Sequence, residues 1–473
     1  MVMSPLDIIV IGLFIAFIFA LGFSAKLRDN SVLQFIAAGR SLTLPVFVAT
    51  LVSTWYGGIL GIGESVSYYG LGTWVLLGVP YYLFAFIYAV YFAKKVRGSE
   101  QISLPERLES RYGKSVALLG AVLVFLLAVP AAHVLMLGTL VQFASGWTLT
   151  ASVVVGTLVG TLFLYKGGLL ADARVSLLAF VMMYVGFAVI LGYCLIRYPF
   201  IQTINSLPNK DLLKWDGGVG ISYVLSFLFL GAWTLVDPGF HQRVASCKSP
   251  EIGRKGVFVC IGFWFLFDML TIGTGMYGIA LHKESIGMNL YPVFGNEILP
   301  PGLKAVFFCG MLGTILSAMV GYTLVSGATL GREIISRIRP NQTDGQIKMW
   351  TRIGFFVACL IAIRLALTID SVVNLWYAWG GVIIGSLLIP VSLSYGLLWK
   401  SKSSANYVFI AMVLAFCASL GLLIYGLQTK NPSVDVQLGD HRFSLGTLLP
   451  GLIVSGLIIG LGEAISRRRR QDE

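Results

Sequence analysis

Charge is what this sequence has least of. Only 12% of its 473 residues are Asp, Glu, Lys or Arg, while 57% are hydrophobic, and the mean hydropathy is +0.83. Soluble domains carry roughly 25% charged residues. A chain this long and this poor in charge cannot cover a water-facing globule, which excludes a water-soluble enzyme. Metal and redox signatures are also missing. The six cysteines (Cys194, Cys247, Cys260, Cys309, Cys359 and Cys417) include no CxxC pair, and the four histidines are scattered. Each cysteine falls in an apolar run or in a loop placed on the inner side, so no disulfide framework is expected. There is no HExxH and no nucleophile–base pair at membrane depth, which counts against an intramembrane enzyme. No soluble domain, low-complexity tract or repeated selectivity loop stands out either, which counts against a sensor with a fused signalling domain and against a channel. What remains is a polytopic helical membrane protein.

Apolar runs long enough to cross about 30 Å of hydrocarbon occur at 6–24, 44–69, 73–93, 116–142, 148–165, 175–196, 219–237, 256–281, 304–330, 353–369, 371–398, 406–427 and 445–465. The first lacks a basic leader and reads as a retained span rather than a cleaved signal. Thirteen spans put the termini on opposite sides. With the N-terminus outside, 26 of the 34 basic residues fall in interior connections, as the positive-inside rule requires. Arg467–Arg470 then lies inside. The net charge of +12 needs no nucleic acid. Anionic inner-leaflet lipid is partner enough.

Two of these runs are expected to break. Gly57, Gly58, Gly61 and Gly63 crowd the second span, and Gly231 to Gly239, with Pro238, crowd the seventh. Glycine weakens a helix, and proline removes an N–H and clashes with the preceding turn. Irregular backbone at membrane depth is tolerated where it lines a cavity or is buried in protein. The two runs are five spans apart, the spacing of inverted five-helix repeats whose broken helices hold solute and ion.

Five motifs in order carry a resemblance. They are Gly39-Arg40-Ser41-Leu42; Tyr69-Gly70-Leu71-Gly72; Ser103-Leu104-Pro105-Glu106-Arg107 through Gly113; His241-Gln242-Arg243 through Ser249; and Ser326-Gly327-Ala328 through Ile334. The chain resembles the sodium/solute symporter family, whose proline, pantothenate, choline and sodium/glucose members share this pattern. The glycine cluster after Thr54-Trp55 is nearest in flavour to the choline type. The resemblance implies an all-α, amino-acid/sodium symporter-like core. It would comprise an extra N-terminal helix (6–24), a first repeat (44–196), a second repeat (219–398) and two peripheral helices (406–465). It implies sodium-coupled symport of a small organic solute by alternating access at the cell membrane, with no cofactor beyond the coupling ion. A proton-coupled or uncoupled carrier is the alternative, and a transporter-fold sensor the more distant one.

The same resemblance implies a sodium site of backbone oxygens at Leu51 and Thr54 with oxygens of Thr314, Ser317 and position 318. Ser317 is the expected hydroxyl ligand. Two departures stand out: Ala318 where a second hydroxyl is usual, and Val175-Ser176 where Thr-Asp is usual. Candidate solute or gating residues are Ser53, Trp55, Tyr56, Gly57, Gly58, Trp233, Trp376 and Tyr377, with Glu64 and Asp237 as acids at the two breaks. Glu64 is expected to face water or a partner, because a buried charge is costly. Asp268 suggests a buried polar contact whose partner cannot be read from sequence, and His133 reads as a core histidine.

Overall fold

A computed structural model describes residues 3–282, 287–397, 404–429, 434–438 and 441–469. Among them, eleven helices are long and apolar enough to cross a membrane, and two shorter apolar helices, Leu149–Thr161 and Gly381–Ser394, accompany them. The chain is a multi-pass membrane protein. In order the helices are α1 (Pro5–Phe23), α2 (Leu44–Trp55), α3 (Ile59–Tyr69), α4 (Val79–Tyr91), α5 (Lys114–Leu127), α6 (Ala131–Ser145), α7 (Leu149–Thr161) and α8 (Leu164–Arg197). They continue with α9 (Ile221–Leu230), α10 (Pro238–Ala245), α11 (Pro250–His282), α12 (Leu303–Ala328), α13 (Asp344–Ala366), α14 (Gly381–Ser394), α15 (Ala405–Thr429) and α16 (Leu448–Arg469). One antiparallel hairpin, Val434–Leu438 with His441–Leu445, is the exception to an all-helical fold.

The second and seventh runs are both interrupted, but differently. Between α2 and α3 there is a single 3-10 turn, Tyr56–Gly58, and helix resumes at Ile59. The glycine cluster therefore serves close packing more than unwinding. A Cβ on Gly57 would sit 1.9 Å from that of Ala318, and one on Gly58 2.3 Å from the Trp376 ring. The seventh run breaks more fully. A 3-10 segment, Gly231–Leu235, gives way to extended backbone at Asp237, which caps α10 by accepting the Phe240 N–H at 2.6 Å. Pro238 follows at the first helical position, where its missing N–H costs nothing.

A third interruption, beyond the two expected, falls inside the span expected at 116–142. The helix stops at Leu127 and restarts at Ala131, with Pro130 as the N-cap residue. The missing Pro130 N–H and the ring's clash with the preceding turn account for the stop.

At the centre, α8 packs along α12 where glycines face each other. A Cβ on Gly186 would lie 3.3 Å from the Gly310 Cα, the small-residue contact by which membrane helices approach closely. The loop motifs meet as well. Leu42 donates its N–H to Ser246 at 3.0 Å and accepts from Lys248 at 2.8 Å, and Gln242 Nε2 donates to the Ile36 carbonyl at 2.8 Å. Those loop motifs are packing elements that tie the entry of α2 to the exit of α10.

Candidate solute and ion site

A cavity of about 120 Å3 lies where the three interrupted runs converge. Of the candidate solute residues, Trp55, Tyr56, Trp233 and Trp376 line it, joined by Tyr81, Tyr82, His133, Trp264, Asp268, Tyr322 and Trp379. Its walls are a packed aromatic set. Trp55 stands edge-on to Tyr81 and Phe240, with ring centroids 5.5 and 5.6 Å apart. Tyr56 donates its hydroxyl to the Asp268 carboxylate and sits 3.1 Å from the Trp264 carbonyl, and Tyr82 donates to the other Asp268 oxygen. Two lining side chains leave a polar atom without a hydrogen-bond partner, His133 Nδ1 and Trp264 Nε1. Buried polar atoms are normally paired, so these two have unused hydrogen-bonding capacity.

Beside the cavity three hydroxyls from three helices meet. Ser317 Oγ lies 2.9 Å from Ser53 Oγ and 2.8 Å from Ser176 Oγ, all fully buried. Ser176, one of the two departures noted above, thus supplies an oxygen to the cluster. Thr314 is buried but donates its hydroxyl to its own helix, to Gly310 at 2.7 Å. Ala318 is the methyl against which Gly57 packs. Leu51 sits one turn before the end of α2, and Thr54 in its last turn. The Thr54 hydroxyl accepts from Arg243 at 2.8 Å, and the same guanidinium pairs with Asp172 at 2.9 Å, both charged side chains 1% exposed. A fixed cation therefore sits next to the expected ion site, balanced by a carboxylate one helical turn before Ser176. The proximity of Arg243 to that site was not legible, because 189 residues separate it from Thr54.

Glu64 and Asp237 stand apart from the lining. Glu64 is 6% exposed, and its carboxylate accepts from Ser371 Oγ at 2.5 Å and from the Val372 N–H at 3.0 Å. It caps the segment that leads to Trp376, so of the two environments expected for Glu64, water or a partner, the structure shows the partner. Asp237 accepts from Trp233 Nε1 at 3.1 Å and from the Tyr322 hydroxyl at 2.9 Å. The backbone at Tyr377 is helical, and its side chain lies outside the described residues.

The sequence pattern of the Sodium:solute symporter family matches residues 35–414. The chain belongs to the sodium:solute symporter family. Within reach of it are the human high affinity choline transporter 1, 24% identical over 75% of this chain and 64% of that protein, and the zebrafish (Danio rerio) sodium/glucose cotransporter 4, 24% identical over 76% and 62%. The chain thus spans less than two thirds of either relative's length. A Na+-coupled sialic acid symporter, solved in a substrate-bound outward-open state, superposes with a TM-score of 0.77 at 12% identity over 98% of both chains. The nucleobase-cation-symport-1 transporter MHP1 follows at 0.54, 13% identity, and 94% and 96% coverage. At these identities the two structures show a shared fold. In this symporter-family chain, the interrupted helices surround the aromatic cavity.

Proposed function

We propose that this chain is a secondary transporter that carries a small organic solute across the cell membrane with sodium, by alternating access. The observation that carries the reading is the aromatic cavity at three helix interruptions with a buried hydroxyl cluster at its side. We read the thirteen apolar segments as thirteen spans with the N-terminus outside and the C-terminus inside. Residues 44–196 and 219–398 are read as inverted repeats, 6–24 as an added helix and 406–465 as a peripheral pair. Ser53, Ser176 and Ser317 offer sodium the hard oxygen ligands it prefers, while Asp172 offsets the neighbouring Arg243. Inward sodium gains roughly 2.3 kcal/mol per 100 mV, and coupling requires that it favour the state that binds solute.

A second reading, a carrier driven without sodium, draws support from Ala318 and from Arg243, which already holds the Thr54 hydroxyl. Proteoliposome uptake from a panel of labelled amines, amino acids, sugars and carboxylates separates the two. The expected result is that uptake collapses when potassium replaces sodium. Ser317→Ala is expected to raise the sodium concentration for half-maximal uptake about two- to tenfold, the worth of one hydroxyl contact. Uptake unchanged in both tests leaves the second reading.

A further inference from the structure

Among the described residues, three aspartates are buried in the helices that surround the cavity, and Asp268 has the fewest compensating groups. Asp172 has the Arg243 guanidinium at 2.9 Å. Asp237 has a backbone N–H, an indole N–H and a phenol, and it ends a helix N-terminus. Asp268 is 4% exposed and has two phenols, Tyr56 and Tyr82. Among the described residues it joins none of the ion pairs. It is also the only one of the three that lines the cavity.

An ionised carboxylate held away from water is costly until a cation or a full set of donors compensates it. A carboxylate has about four lone-pair positions, and two O–H donors leave the others open. Nothing basic lines the cavity apart from His133. An anionic solute would meet Asp268 with no lysine or arginine to receive it. The remaining walls, Trp55, Tyr81, Trp233, Trp264, Trp376 and Trp379, are aromatic, and aromatic rings suit a cation and an apolar body. The carboxylate is also seated deliberately close to its neighbours. A Cβ on Gly78 would lie 2.7 Å from Asp268 Oδ2, so glycine leaves the room the acid needs.

Resting on the solute-carrier reading above, we infer that the solute carries a protonated amine and that Asp268 is its counter-charge in the cavity. Tyr56 and Tyr82 hold the carboxylate in place, and the indoles take the solute's apolar part.

The test uses the purified full-length protein and reads thermal unfolding with probes of one shape, in sodium and in potassium buffer. The probes are 2-phenylethylammonium, 2-phenylethanol and phenylacetate, with butylammonium as a second amine. The ammonium probes are expected to raise the unfolding temperature, and the alcohol and the carboxylate to leave it unchanged. Asp268→Asn is expected to weaken ammonium binding roughly ten- to hundredfold, the loss of a charged hydrogen bond. Asp268→Glu, which keeps the charge, is expected to retain the preference and guards against a merely misfolded Asn variant. Stabilisation by the alcohol or the carboxylate, no response to either ammonium, or an Asn variant that still selects ammonium overturns the inference. So does neutral-solute uptake driven by a pH gradient and lost in Asp268→Asn, which would make the residue a proton carrier. Ammonium selectivity that is identical in both buffers counts against sodium coupling while leaving Asp268 its role.

Discussion

Gly57 and Gly58 show how much one missing methylene decides. The sequence marks them as helix breakers, yet their backbone makes only one 3-10 turn. Their function is absence of bulk: Ala318 fills the space over Gly57, and the Trp376 ring lies on Gly58 and Gly61. Overpacking of this kind costs typically 1–3 kcal/mol. Gly58→Ala is therefore expected to lower the unfolding temperature, and the same substitution is expected to cost much less in a Trp376→Ala background, where the ring that the new methyl meets is gone. An equal loss in the two backgrounds would mean that backbone freedom, and not the indole contact, is what the glycine provides.

At the scale of elements, the short helix Leu104–Tyr112 is latched to the helical turns that follow α12, Thr329–Ile335 and Ser336–Ile338. Glu106 Oε1 pairs with Arg332 at 2.5 Å, Arg337 reaches Glu109 at 2.8 Å and also Glu333, and Ser103 donates to Glu333 at 2.8 Å. Burial pushes the Glu106 carboxyl above its ordinary value of 4.5, the neighbouring Glu333 pushes the same way, and Arg332 and the Ile102 N–H oppose without prevailing. The folded state thus binds a proton at Glu106 more readily than the unfolded chain does. Linkage then makes this group's contribution improve as pH falls. Relative to Glu106→Gln, the wild type is expected to gain unfolding temperature as the pH is lowered from neutral toward 4.5. A difference that is flat with pH, or that grows in the other direction, would show that Arg332 outweighs burial.

Across the whole molecule, Arg243 is the residue on which the bundle converges. It donates to Thr54 of α2, Asp172 of α8 and Gly239 at the start of its own helix, and its guanidinium fills the space beside Gly321 of α12. Removing one partner of a buried ion pair costs about 3–5 kcal/mol, while replacing both by apolar groups is far cheaper. Arg243→Met is expected to be strongly destabilising in thermal unfolding, and Arg243→Met with Asp172→Leu is expected to recover most of the loss. If the double variant is as unstable as the single, the pair acts through its other hydrogen bonds.

The helices themselves could be read from one dimension. Runs of apolar residues bounded by basic loops reflect the energy of moving each segment from water to hydrocarbon, which depends on composition alone. Pro238 and the Gly231–Gly239 cluster marked a true break for an equally local reason, and Pro130 carried the same signal for the break that was overlooked. The wall residues Trp55, Tyr56, Trp233 and Trp376 were visible because they flank such signals. Tyr82 and Trp264 were not, and Asp268 and Ser176 were noted without their partners, since each stands in a helix that looks uninterrupted and acquires meaning from a neighbour far along the chain. The same holds for Glu64, whose cost of burial is met by backbone N–H groups more than three hundred residues away. Insertion into a membrane is a property of segments, and so the sequence by itself determined where the helices are. Compensation of a buried charge, and the shape of a cavity, are properties of pairs and larger sets of side chains, and only the tertiary structure decided those.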